Sequence, residues 1–218
     1  MIELVDVTKN IAGNTIINKV NLTINENDFL SITGKSGSGK TTLLNILALE
    51  SSLSGGYIIF DRQKILTQKE MQLTKHRIGR IFQDFKLIPD LTIFENVSYL
   101  LENDGTLNKL EITEIVISAL DLLGILEIQN EFPDNVSGGQ QQRVGIARCI
   151  ARGNKIIIAD EPTSNLDPQT SKNIFEVLRK VNQLGIPVIV ATHDVDLIKN
   201  YSTRNIRLSG GTIVEWKK

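Results

Sequence analysis

Two short segments of this sequence could do phosphate chemistry. Gly34-Lys35-Ser36-Gly37-Ser38-Gly39-Lys40-Thr41-Thr42 fits the pattern G-x-x-x-x-G-K-[ST]. In that pattern backbone N–H groups wrap nucleotide phosphates, the lysine meets the outer phosphates and the hydroxyl holds Mg²⁺. Glycines are needed because the loop brings its backbone against the phosphates at dihedrals a side chain would forbid. Far downstream, Ser137-Gly138-Gly139-Gln140 opens a run with helical periodicity through Ala151. A serine N-cap followed by small glycines fits either an ordinary capped helix or an anion site built from free amides.

The surrounding elements must aim these groups. Residues 28–33 read as a short β-rich strand and residues 41–48 as an apolar helix, so the helix N-terminus would point at the anion held by the loop. Residues 155–159 form an apolar run ending in Asp160-Glu161. That pattern is a buried parallel strand delivering two carboxylates at its carboxyl end, where ligands bind in open α/β sheets. Asp160 would hold Mg²⁺ through water, and Glu161 would polarise an attacking water. The chain has two histidines, His76 and His193. His76 reads as a packed or surface residue, whereas His193 follows the apolar strand 187–192 and falls at the same sheet edge.

Composition narrows the classes. A chain of 218 residues with 41% hydrophobic content can bury one core with a subdomain. A net charge of −1 with no basic block argues against a nucleic-acid binder that works by charge. The single cysteine, Cys149, excludes an internal disulfide and suits a reducing compartment. Glu3 and Asp6 break the start of the chain before an apolar stretch forms, and no run approaches the about 20 apolar residues of a membrane span. The expectation is a cytoplasmic protein with no direct membrane insertion.

Taken in order, the residues resemble the ATP-binding subunit of an ABC transporter over essentially the whole chain. Residues 34–42 resemble that family's Walker A motif, residues 156–161 its Walker B and residues 136–140 its signature motif. Gln83 in Ile81-Phe82-Gln83-Asp84 resembles the Q-loop, Ser164-Asn165-Leu166-Asp167 the D-loop, and His193 the switch histidine. The resemblance implies an α/β P-loop NTPase fold in one domain, 1–218. It has a mainly parallel core sheet, an antiparallel β subdomain and a helical subdomain inserted at approximately 84–150. It implies ATP and Mg²⁺ as ligands, with Thr41, Gln83 and Asp160 at the metal, Glu161 as general base, and His193 on the γ-phosphate. Ser137, Gly138, Gly139 and Gln140 would serve the nucleotide of a second copy in a sandwich homodimer, with Asp167 linking the two sites. An integral membrane permease is the implied partner, leaving the subunit peripheral on the inner face of the membrane.

Three positions depart from the family pattern. Ile11 stands where an aromatic residue stacks on adenine, so apolar cover replaces a π face and adenine binding is expected to be weaker or less selective. Val136 replaces a leucine of similar apolar shape. Asn154 stands where a proline often precedes Walker B and reads as loop variation. Residues 2–7 and 15–24 alternate as strands, 55–61 returns to that β region, and 92–100 and 111–123 read as helices separated by the polar turn 103–106. From Pro168 onward a helix, a strand, a helix and two closing strands complete the sheet. The apolar residues Phe85, Leu87, Ile88, Pro89, Leu91 and Phe94 suit either subdomain core or a docking groove for the membrane partner. The wording of 82–97 looks most like the ATPases of macrolide-efflux, lipoprotein-release and bacteriocin or antimicrobial-peptide export systems, which implies an exporter. The alternative is a relative of the cell-division type that drives a non-transporting membrane partner.

Overall fold

The computed structural model describes residues 2–215. The first half of the chain contains β1 (Ile2–Ile11), β2 (Asn14–Ile24), β3 (Phe29–Thr33), α1 (Lys40–Leu47), β4 (Gly55–Phe60), β5 (Gln63–Ile65), α2 (Gln68–Lys75), β6 (Ile78–Ile81) and α3 (Ile93–Asp104). The second half contains α4 (Lys109–Leu122), α5 (Gly138–Ala151), β7 (Ile156–Asp160), α6 (Pro168–Gln183), β8 (Val188–Ala191), α7 (Val195–Tyr201), β9 (Arg204–Ser209) and β10 (Thr212–Glu215).

The apolar runs in β3, β7 and β8 are buried almost throughout, as strands covered on both faces must be. They lie inside a six-stranded sheet of order β10-β9-β3-β8-β7-β6, parallel from β9 to β6 and closed by antiparallel β10. The first two strands, β4 and β5 form a separate antiparallel sheet of order β2-β1-β4-β5. This is the expected P-loop architecture, a parallel core with an antiparallel β region.

Two apolar cores hold the layers together. One fills the space between the antiparallel sheet, α1 and one face of the parallel sheet, with Ile17, Leu30, Ile32, Leu43 and Ile158 fully buried. The other lies on the opposite face beneath α3, α4, α5 and α6. The stripe Ile174, Phe175, Leu178 and Val181 of α6 has helical spacing, and all four residues are buried. Phe175 stacks at 6.1 Å from Phe29 of β3 and 5.7 Å from Tyr201 of α7, joining three elements.

Polar residues set the helix starts. Capping boxes open α2, α3, α4 and α5 through Thr67/Glu70, Thr92/Glu95, Asn108/Glu111 and Ser137/Gln140. The segment containing β5, α2 and β6 has no assignment in the sequence reading. Its helix buries no residue, so it carries no apolar stripe, and its strands are only three and four residues long. Asn154 is more than loop variation: it is buried, and its Nδ2 donates to the His76 carbonyl at 2.9 Å, tying the entry of β7 to the end of α2.

Between these helices and the sheet, α5 packs closely on β6. A Cβ built on Gly79 would lie 2.7 Å from Cys149 Sγ, so only glycine permits the approach. Burial pushes the Cys149 thiol up to about 11, which keeps it protonated at ordinary pH. A disulfide exchange reagent at pH 8 should therefore leave Cys149 unmodified in the native protein and titrate one thiol in urea; fast native reaction would contradict this burial. Phe175→Ala should lower unfolding free energy by about 3–5 kcal/mol in urea titrations, because the cavity lies at the junction of three elements.

Candidate nucleotide site

The parallel strands end together. Ile32 of β3 pairs with Ala191 of β8, Asp160 of β7 also pairs with Ala191, and Ile81 of β6 pairs with Ala159. The loops that follow these four strands contain 34–39, 192–194, 161–167 and 82–92, so the chemistry-bearing segments meet at one sheet edge.

A cleft of about 700 Å³ opens there. Its phosphate end is lined by Ser36, Gly37, Gly39, Lys40, Thr41 and Thr42, its far side by Phe82, Gln83, Asp84, Asp160, Glu161 and Asn165, and its outer end by Ile11 and Ile16. Gly39 is the N-cap of α1 at φ 98°, with no side chain capping the first amides. Those amides remain available to an anion, as the helix N-terminus requires. Lys40 Nζ donates to the Gly34 carbonyl at 2.9 Å, which keeps the ammonium within the loop.

Glu161 directly follows β7 with φ 45°, a left-handed conformation uncommon for a residue with a Cβ. Its N–H donates to the Ala191 carbonyl at 2.9 Å, and its own carbonyl accepts from Ser164 Oγ at 3.1 Å. Backbone bonds on both sides thus fix the bend that turns the carboxylate into the cleft. His193 Nδ1 lies 3.0 Å from Glu161 Oε2, although the imidazole is 77% exposed and does not line the cleft itself. With Glu161 ionised, a neutral His193 uses its single hydrogen on this bond; only the imidazolium offers a second donor.

Most sequence-predicted residues converge here, but the helix-start segment does not. None of residues 137–140 is among those lining the cleft. Ser137 Oγ instead accepts from Gln140 N at 3.3 Å, and Gln140 Oε1 accepts from Ser137 N at 2.9 Å. Asp167 caps α6 by accepting from Gln169 N and Thr170 N at 3.0 Å, and hydrogen bonding to Thr170 holds its carboxyl below the usual range.

Two residues of the apolar run after Gln83 serve the helical core. Leu87 and Phe94 pack against the helical core, and buried Asn96 binds the 88–92 turn through Ile88 N at 2.8 Å and the Leu91 carbonyl at 2.9 Å. Ile16 is a cleft residue that sequence reading misses. It shares the outer end with Ile11 because β1 and β2 form a hairpin, pairing Ile11 with Asn14.

Comparisons with known proteins place the chain in a family. The family described as ABC transporter matches residues 17–164. The chain is 38% identical to the cell division ATP-binding protein FtsE of Bacillus subtilis, over 98% of this chain and 95% of that one. It is 35% identical to the methionine import ATP-binding protein MetN of Legionella pneumophila, over 99% of this chain and 64% of the relative's length. Among solved structures, a dimeric post-hydrolysis state of the ATP-binding cassette MJ0796 bound to ADP and Pi has a TM-score of 0.85 at 35% identity, with all of both chains covered. These relatives do not bear out the expected export group, because the named functions are cell division and import.

Ile11→Tyr should tighten ATP relative to GTP, since base–aromatic stacking is worth about 1–3 kcal/mol. Paired titrations of the parent and the variant with both nucleotides check this, and an unchanged ATP-to-GTP ratio would contradict it.

Proposed function

The chain belongs to the ABC transporter family and is an ABC-type ATPase, and from that membership we propose that ATP-driven pairing of two copies powers an integral membrane partner. The observation that carries the reading is the division of the chemistry. One cleft holds the phosphate loop, Gln83, Asp160 and Glu161, while the capped start of α5 stands outside it. A second copy, turned antiparallel, would bring its Ser137, Gly138, Gly139 and Gln140 to this nucleotide and receive the same in return.

Within the cleft the loop amides of 35–42 and Lys40 bind the phosphates. The hydroxyl of Thr41, the amide oxygen of Gln83 and the carboxylate of Asp160 form an all-oxygen donor set, which suits Mg²⁺. The ion, when bound, neutralises charge developing on the transferred phosphoryl group. Glu161 accepts the proton of the attacking water, and its backbone bonds fix where that carboxylate stands. His193 stands beside Glu161, and its imidazolium form would have a second N–H to offer the γ-phosphate. Asp167, by capping α6, fixes the 164–167 loop that would lie between the two sites. Phosphoryl transfer depends chiefly on positioning and charge stabilisation, so arrival of the second copy can itself switch the chemistry on.

The proposed partner would hold the protein at the inner face of the membrane; among the described residues no helix is long and apolar enough to cross it. The FtsE proteins of Bacillus subtilis and Streptococcus pneumoniae match this chain over 95% and 94% of their own length, whereas MetN of Legionella pneumophila matches over 64% of its length. That correspondence favours a partner moved mechanically over one that passes solute, and it turns the reading away from export.

Glu161→Gln should bind ATP with near-parental affinity and lose at least roughly 10²-fold in turnover, the scale of a general base. Steady-state hydrolysis alongside nucleotide titration checks this, and near-parental turnover would remove Glu161 from the role.

A further inference from the structure

Arg148 lies on α5, touches no residue-lined part of the nucleotide cleft, and is used nowhere in the proposed chemistry. Yet its guanidinium makes two short bonds to one bend of backbone. Nη1 donates to the Lys86 carbonyl and Nη2 to the Phe85 carbonyl, both at 2.7 Å. Phe85 and Lys86 stand at φ 59° and 49°, consecutive left-handed residues in the loop that carries Gln83. Side chains disfavour that region, so two in succession carry a cost that bonds to the bend can offset; within the loop Lys86 N donates to the Asp84 carbonyl at 2.6 Å. The loop's own Phe85 N–H to Phe82 carbonyl bond is long, at 3.4 Å.

The same helix grips the other side of Gln83. Buried Gln142 directs Nε2 to the Phe82 carbonyl at 3.5 Å. At the start of α5, a methyl built on Gly138 would stand 3.4 Å from Phe85 Cζ and 3.0 Å from Leu166 Cδ2. The Phe85 ring therefore rests against the segment that would serve the second copy's nucleotide, while its carbonyl is held by Arg148.

We infer that Arg148 is a positioning residue: it holds the 85–86 bend left-handed, so that Gln83 faces its own nucleotide while tied to the helix that serves the other. The inference rests on the reading of Gln83 as a cleft ligand given above. A planar fork suits two adjacent carbonyls, and a lysine ammonium cannot reproduce that bidentate grip. Because Arg148 acts only through the loop, its loss should affect the rate and spare phosphate binding by the loop at α1.

The test compares ATP turnover and Mg-free ATP affinity in R148Q, R148K, K86G, the double variant R148Q/K86G, and Q83A. Misplacing a ligand by about 1 Å can cost 10²-fold, so kcat of R148Q should fall about tenfold or more. Its ATP Kd should stay within about threefold of the parent, a split between rate and binding. K86G alone should remain near parental, because the Lys86–Asp84 ion pair it removes is exposed. The double variant should recover part of the lost kcat, since glycine removes the cost of positive φ at one of the two left-handed residues. R148K should stay slow despite keeping the charge. If R148Q does not fold, R148K with and without K86G makes the same comparison.

Parental kcat in R148Q, or a double variant no faster than R148Q, would overturn the inference. Q83A distinguishes the two levels. Slow Q83A with parental R148Q removes Arg148 alone, whereas parental Q83A removes the reading of Gln83 on which the inference stands.

Discussion

The structure depends on the parallel register of four strands. Hydrogen bonding between β3, β8, β7 and β6 sets their carboxyl ends level to within a residue, at Ile32, Ala191, Asp160 and Ile81. The loop after β3, the helix α1, Gln83, Asp160, Glu161 and His193 all lie at or directly after such an end. Burial on both faces makes this register rigid, because a slip would drive Ile158, Ile189 and Leu30 out of their cores. The two apolar layers thus serve to hold a phosphate loop, a pair of carboxylates, an amide and a histidine at one edge.

From that edge the chemistry is divided in two. Backbone bonds and the left-handed bend at Glu161 arrange the cleft that is proposed as one half of a phosphate site. The start of α5, proposed to serve the other nucleotide, is held by its own capping box and stands outside that cleft. The helix is also the element best connected to the rest. It packs on β6 through Gly79, reaches the Gln83 loop through Gln142 and Arg148, and touches Leu166 at its start. The proposed pairing of two copies would need such a rigid connection between the groups each copy owns and those it borrows.

Much of this was legible in the sequence, for physical reasons. The phosphate loop is nine consecutive residues, Asp160 and Glu161 are adjacent, and Ser137 with Gln140 is a local capping pattern; local chemistry is written locally. Ile16 beside Ile11, Asn154 against His76 and Arg148 against Phe85 depend on tertiary approach, and no periodicity announces them. The short strand β6 and the uncovered helix α2 carry too little apolar pattern to be read. The export assignment rested on residues 82–97, many of which pack the subdomain core or are arranged by Asn96. The identity of Leu87, Ile93, Phe94 and Val97 records packing in the helical core rather than a transported molecule.

The central claim is that two copies make the complete nucleotide site. The measurement that tests it most directly is light scattering of Glu161→Gln during size-exclusion chromatography, with and without Mg-free ATP. The account predicts a monomer without nucleotide and a dimer of twice its mass with ATP. A protein that binds ATP yet stays monomeric at every concentration tested would contradict the claim that ATP alone joins the two halves.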